Sequence, residues 1–345
     1  KIWKKVLPFL KPFRKVVLMV ILLNLFCSAV DIALPLFQRY AIDNFIETGS
    51  TKGLPVFALV YLVVIGLQTI SVIAFTRGNV RIEMQMGRDM KRACFVHLQT
   101  LSFSYYNVTP VGYILARVMN DTNRIAGLVA WNMVDMLWAF AYVAGVFVAM
   151  ALLNWKLALI VMLIVPAIAI LTVYFQNRIL KWNRKVRKIN SKITSAYNEG
   201  IMGAKTSKTL VIEEKNAEGF REVTQEMRVA GVKAARLSAI YLPLVLFFSS
   251  LATAIVLAQG GKMVLEDLMM IGTLSAFSSY AVGIFEPIQQ LARNIAEVIS
   301  AQANIERVMG LLEQEPQVVD SPEVEEKYGD VFFPKRKLGR TARRY

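Results

Sequence analysis

Tyr105–Ile125, YYNVTPVGYILARVMNDTNRI, is too polar to lie in a bilayer and too regular for a loop. Apolar residues recur at Val111, Ile114, Leu115, Val118, Met119 and Ile125, which is helical spacing. Thr109 is placed to cap a helix N-terminus, with Pro110 at the first helical position, where its missing N–H costs nothing. The pattern predicts a helix ending near Ser104, a short turn or transverse helix, and a new helix from about Pro110. The fold then depends on what surrounds this stretch.

Six apolar runs surround it: 16–37, 54–75, 127–153, 157–175, 237–258 and 268–291. Each approaches or exceeds the roughly 20 residues that a helix needs to cross the hydrocarbon core. Unpaired backbone groups are not tolerated in lipid, so these runs are helices rather than open strands. Three of them hold one acid each, Asp31, Asp135 and Glu286. The first run is too long for a signal peptide and has no small-residue cleavage site, so it reads as a retained span.

The connections alternate between short and long. Those at 38–53, 154–156 and 259–267 are short, whereas 76–126 and 176–236 are long. Lysine and arginine follow the same alternation: 6 precede the first run, 7 and 14 lie in the long connections, and 9 lie from Arg293 onward. By the positive-inside rule both termini and both long connections are cytoplasmic in a multi-pass protein of the cell membrane. The net charge of +15 therefore flanks spans and forms no patch on a soluble fold, which argues against a nucleic-acid partner. Two cysteines, Cys27 and Cys94, suggest no disulfide framework, and the single His97, with no evident partner, reads as a surface or packing residue; no metal site is expected.

The long connections carry apolar residues at helical spacing over 77–101 and 182–210. Two helices of about 25 residues each would reach roughly 37 Å and return. Spans two to five are thus expected to continue into the cytoplasm as hairpins, about 76–126 and 176–236, each turning round at a distant tip. At the first tip, Tyr105, Tyr106 and Val108 are either part of a plain solvated turn or a docking knob. At the second, Asn198–Phe220, Gly200 and Gly203 weaken the helix and predict a break.

With these residues in view, the chain resembles the transmembrane part of an ABC exporter with six helices per half. Thr109–Asp121, TPVGYILARVMND, matches the family's first-tip pattern, with Gly112, Arg117 and Asp121 in register. Asn198, Glu199, Gly203, Lys208, Glu213 and Glu214 match the second-tip pattern, followed by Phe220. Pro287 and Ile288, then Ala301–Glu313 with Glu306 and Arg307, resemble the stretch that follows span six. Trp3–Pro12 resembles the amphipathic elbow helix.

The resemblance implies an all-α membrane protein of the type 1 ABC exporter fold, with an elbow at 1–15, a six-helix domain at 16–312 and a domain-swapped dimer. It implies a coupling helix at each tip, docking into an ATP-hydrolysing domain. The first comprises Tyr105, Tyr106, Asn107, Val108, Thr109, Pro110, Val111 and Gly112. The second comprises Ile201, Met202, Gly203, Ala204 and Lys205. It also implies export, driven by ATP, of small amphipathic molecules, drugs, lipids or peptides, with a second half-transporter as partner.

No G-x-x-x-x-G-K-[ST] phosphate loop occurs in the sequence, so ATP and Mg are expected to be held by a partner nucleotide-binding domain and no catalytic residue is expected in this chain. The segment 313–345 reads as a linker and basic tail without an ATPase domain, and truncation is favoured over a separate ATPase subunit because Ala301–Glu313 resembles the lead-in to a fused one. An alternative reading is a non-transporting remnant or regulator that dimerises with a full-length half. Intramembrane ionisable groups and aromatics are the candidates for a substrate cavity: Asp31, Asp135, Trp138, Phe277, Tyr280 and Glu286. The plainer reading of each is a paired, capping or packing residue.

Overall fold

A computed structural model describes residues 2–315. The expectations for 316–345 lie outside the described residues. Among the described residues every regular element is helical. An elbow of short turns, Ile2–Lys5, Leu7–Leu10 and Lys11–Phe13, leads into α1 (Arg14–Ala41). Then follow α2 (Leu54–Leu98), α3 (Phe103–Val108) and α4, a continuous helix over Val111–Leu153. The rest is α5 (Trp155–Met202), α6 (Ala204–Leu210), α7 (Glu213–Leu265), α8 (Ile271–Gly283) and α9 (Phe285–Leu312).

Five of these helical stretches are long and apolar enough to cross a membrane. At 1.5 Å per residue, α2, α5 and α7, of 45, 48 and 53 residues, exceed twice the hydrocarbon thickness. Spans two to five therefore do continue past their apolar runs as unbroken helices. The sixth run differs from expectation. It falls across α8 and α9, which break at Ile284. Pro287 explains the break, since it has no N–H for the Gly283 carbonyl four residues earlier and its ring crowds that carbonyl.

Two compact units divide the chain. Among the described residues, one comprises 2–37, 50–145 and 293–315. Its buried core joins Val6 and Phe9 of the elbow, Met86, Met90 and Cys94 of α2, Ile125 and Ala126 of α4, and Ile305, Val308 and Leu311 of α9. The other comprises 38–49 and 146–292. In it α5 and α7 pair antiparallel: the Tyr241 hydroxyl donates to Thr172 Oγ1 at 3.3 Å, and Tyr197 meets Phe220 edge-on at 4.8 Å between ring centres. The start of α8 is pinned by Asp43, whose carboxylate accepts the Gly272 N–H at 2.7 Å. A side chain at Gly272 would collide with the Arg39 carbonyl oxygen, 2.5 Å from the would-be Cβ, so only glycine permits this approach.

Candidate functional site

At the first tip, α2 ends at Leu98, earlier than the predicted Ser104, and α3 is the transverse helix. Thr109 and Pro110 are extended, α4 begins at Val111, and Pro110 rather than Thr109 occupies the cap position, with no side-chain capping bond. The tip has two faces. Inward, Tyr105 packs on the core cluster and meets the Tyr106 ring edge-on at 5.5 Å. The Tyr106 hydroxyl donates to the Leu98 carbonyl at 2.5 Å, which satisfies one of the orphan carbonyls at the end of α2. Outward, Phe103 and Val108 are 89% and 81% exposed, and Asn107, Pro110, Val111 and Gly112 are also exposed.

Behind this tip stands a charged brace that sequence reasoning did not assemble. Asp121 and Arg307, 186 residues apart, form a two-pronged pair: Arg307 Nε donates to Oδ2 at 2.7 Å and Nη2 to Oδ1 at 2.8 Å. Asn304 Oδ1 accepts a further bond from Arg307 at 2.5 Å. Such forks fix orientation as well as charge. The hydrogen-bonded Asp121 carboxylate raises the Arg307 pKa further above its ordinary value. Asp121 closes a π-helical turn, Arg117–Asp121, and such a local widening re-aims the following side chains. Arg117 lies over the Tyr113 ring at 4.0 Å and donates to its hydroxyl. Lys5 pairs with Glu313 at 2.5 Å, and His97 Nε2 lies 2.9 Å from the Gln314 carbonyl oxygen. His97 thus meets a backbone carbonyl that the sequence did not point to. Elbow, first hairpin and the end of α9 are tied into one assembly. Cys94 sits inside it, far beyond the apolar run of α2, and burial pushes its thiol pKa up to about 11.

At the second tip the break falls at Gly203, while Gly200 stays helical. A Cβ on Gly203 would lie 2.9 Å from the Glu199 carbonyl oxygen, so the tight turn there needs glycine. The α6 helix then carries Ala204, Lys205 and Lys208 on its exposed surface. Val211, at φ 53°, reverses the chain, and Glu213 and Glu214 open α7, where acids favour the helix N-terminus. Asn216 Nδ2 donates to Ser207 Oγ at 2.9 Å. Ile201 and Met202 are 73% and 88% exposed, and Leu210 and Val211 are exposed too. No residue of α6 is buried.

Within the apolar runs, two of the cavity candidates meet. Asp31 Oδ1 accepts Gln68 Nε2 at 2.6 Å, and Oδ2 accepts Trp138 Nε1 at 3.0 Å; Trp138 stacks on Tyr142 at 5.4 Å. One carboxylate thus joins α1, α2 and α4, and the two N–H donors offset its cost of leaving water. Gln68 carried no sequence signal beyond being polar in an apolar run. Asp135 is half-buried and Glu286 is exposed. Phe277 and Tyr280 are fully buried in the other unit.

Comparison with known proteins follows the same outline. The family model described as the ABC transporter transmembrane region matches residues 17–288. The uncharacterized ABC transporter ATP-binding protein YknV of Bacillus subtilis is 27% identical over 344 residues, covering 96% of this chain and 56% of that protein. The putative multidrug export ATP-binding/permease protein YgaD of the same organism is 23% identical, covering 93% of this chain and 56% of that protein. An ATP-dependent lipid A-core flippase of Desulfotalea psychrophila is 26% identical over 243 residues, covering 70% of this chain and 42% of that protein. The chain spans about half the length of the curated relatives it matches. It belongs to the ABC transporter transmembrane family.

Proposed function

We propose that this ABC transporter transmembrane domain exports small amphipathic molecules, drugs, lipids or peptides, driven by ATPase domains that dock on its two tips. The observation that carries the reading is the bare apolar surface at both turn-rounds: Phe103 and Val108 at the first, Ile201 and Met202 at the second. Large apolar side chains at a polar tip are costly to leave in water and suit a protein groove. The relatives named above, a lipid A-core flippase and a putative multidrug exporter, support the substrate class.

In this reading the sixth span is the broken α8–α9 pair, both termini lie in the cytoplasm, and a second half-transporter completes the cavity. ATP and Mg belong to the docked domain, and no residue of 2–315 is assigned to them. The transmembrane helices convert closure of paired ATPases into opening of the outer face. That requires the ATPases to bind one conformation of this domain better than the other. The stiff helices α2, α5 and α7 carry the difference to the membrane. Asp31 and Trp138 would meet the substrate at the cavity wall, with Gln68 holding the carboxylate in place.

Co-reconstitution with an ABC ATPase domain in lipid vesicles tests the proposal. Association together with substrate-stimulated hydrolysis is expected. Absence of both across a panel of such ATPases would sink it.

A further inference from the structure

Between Phe175, where the fourth apolar run ends, and the second tip, α5 carries Lys181, Arg184, Lys185, Lys188 and Lys192. Spacings of three and four place them along one helix face. With Trp182, Ile189 and Glu226 they line a groove of about 570 Å³. Glu226, from α7, is the single carboxylate among the lining residues, 3.8 Å from Lys185 and 3.6 Å from Lys192. Lys181, Arg184 and Lys188 have no ion pair among the described residues. Lys185 and Lys233 lie over the Trp182 ring at 5.6 and 4.9 Å, and Ile189 is buried at the base. Five cations against one acid repel each other at this spacing, and an anion in the groove would relieve them.

Position selects the anion. Lys181 is six residues past Phe175, about 9 Å along the helix axis. The headgroup layer extends roughly 5–7 Å beyond the hydrocarbon on each side. Lysine and arginine side chains reach back toward it, and tryptophan favours that depth.

We propose that this groove binds the phosphate headgroup of an anionic phospholipid, with Lys181 and Arg184 on the phosphate and Lys185 and Lys188 supplying the surrounding field. The site rests on the membrane placement proposed above, but not on ATP coupling or on any particular substrate. The far end of the cluster, at Lys188 and Lys192, lies too far from the membrane to touch a headgroup and attracts the anion at a distance.

Native mass spectrometry of the full chain in neutral detergent tests the site, with phosphatidylglycerol and phosphatidylcholine titrated separately and inorganic phosphate added as competitor. Phosphatidylglycerol should bind at least about ten-fold more tightly than phosphatidylcholine at low salt. The triple variant Lys181→Gln, Arg184→Gln, Lys188→Gln should lose most of that preference, by up to about a hundred-fold in affinity. Equal retention by wild type and variant would overturn the site. Displacement of the lipid by inorganic phosphate at comparable concentration would overturn the lipid in favour of a soluble anion. Dimer loss in the variant with lipid binding intact would instead assign the face to a second copy. A second measurement needs no variant: phosphatidylglycerol with a photoreactive headgroup should label the wild-type chain within 181–192, and labelling confined elsewhere overturns the proposal. Lipid binding without any ATPase response would leave this site standing and strike only the transport reading.

Discussion

The two tips show similar apolar surfaces to the outside, yet they are held in opposite ways. The first is backed by a buried core and by the charged tie from Arg307 of α9 to Asp121. Its aromatics are half inside: Tyr105 packs inward and Tyr106 caps the end of α2. The second tip is a short exposed helix between a glycine break and a left-handed valine, tied by a side-chain contact from Asn216 to Ser207 and by the Ile212 N–H donating to the Ser207 carbonyl. A tip fixed by its own chain can transmit motion only by moving with that chain. Under the docking proposed above, a tip without such backing would be held by its partner instead.

Thiol chemistry should break this comparison most visibly. Cys94 is fully buried behind the first tip, and its raised pKa leaves roughly 0.1% thiolate at pH 8, against roughly a quarter for an exposed cysteine. Alkylation of the folded protein at pH 8, mapped by peptide mass, should be over about a hundred-fold faster for an Ile201→Cys variant than for Cys94. Comparable rates would mean that the first core opens readily. The same shift has a pH sign. The folded pKa lies above the ordinary value of 9.0, so the contribution of Cys94 to stability is complete below that pH and is lost as pH rises through about 11. Cys94→Ala should flatten the fall in Tm over that window.

Arg307→Ala is the next largest effect. Removing one partner of a buried pair costs about 3–5 kcal/mol. The Arg307 side chain is 38% exposed and that of Asp121 11%, so about 2 kcal/mol is expected. Thermal unfolding in detergent checks it, and a Tm unchanged from wild type would remove the brace from the account of the first tip. Tyr106→Phe removes one hydrogen bond and should cost about 1 kcal/mol by the same measurement. Ile201→Asp should leave Tm unchanged within about 0.5 kcal/mol, because that side chain is largely exposed. It should nevertheless abolish ATPase stimulation. Retained stimulation would move the second docking surface toward Leu210 and Val211.

Much of this architecture is legible in one dimension. Apolar run length and helical spacing both act within a few turns of helix, so the five long apolar helices can be read from the sequence. Gly203 and Val111 lie within a residue or two of the predicted turns for the same reason. The break in the sixth apolar run is not legible in hydropathy, which is blind to the backbone bond that Pro287 removes. The early end of α2 at Leu98 is likewise not legible in the sequence, since the contact that stabilises it comes from Tyr106, a residue on the next helix.

Sequence by itself determined that the chain is built of long apolar helices fit to cross a membrane, because transfer of side chains from water to lipid is a local property. It also singled out Asp31, Asp121, Trp138 and Arg307, each on its own. Only the tertiary structure joined Asp121 to Arg307 across 186 residues and Asp31 to Trp138 across 107. A charge inside a protein is tolerable when a partner meets it at bonding distance, and that distance is a property of the fold, invisible in the spacing of residues along the chain.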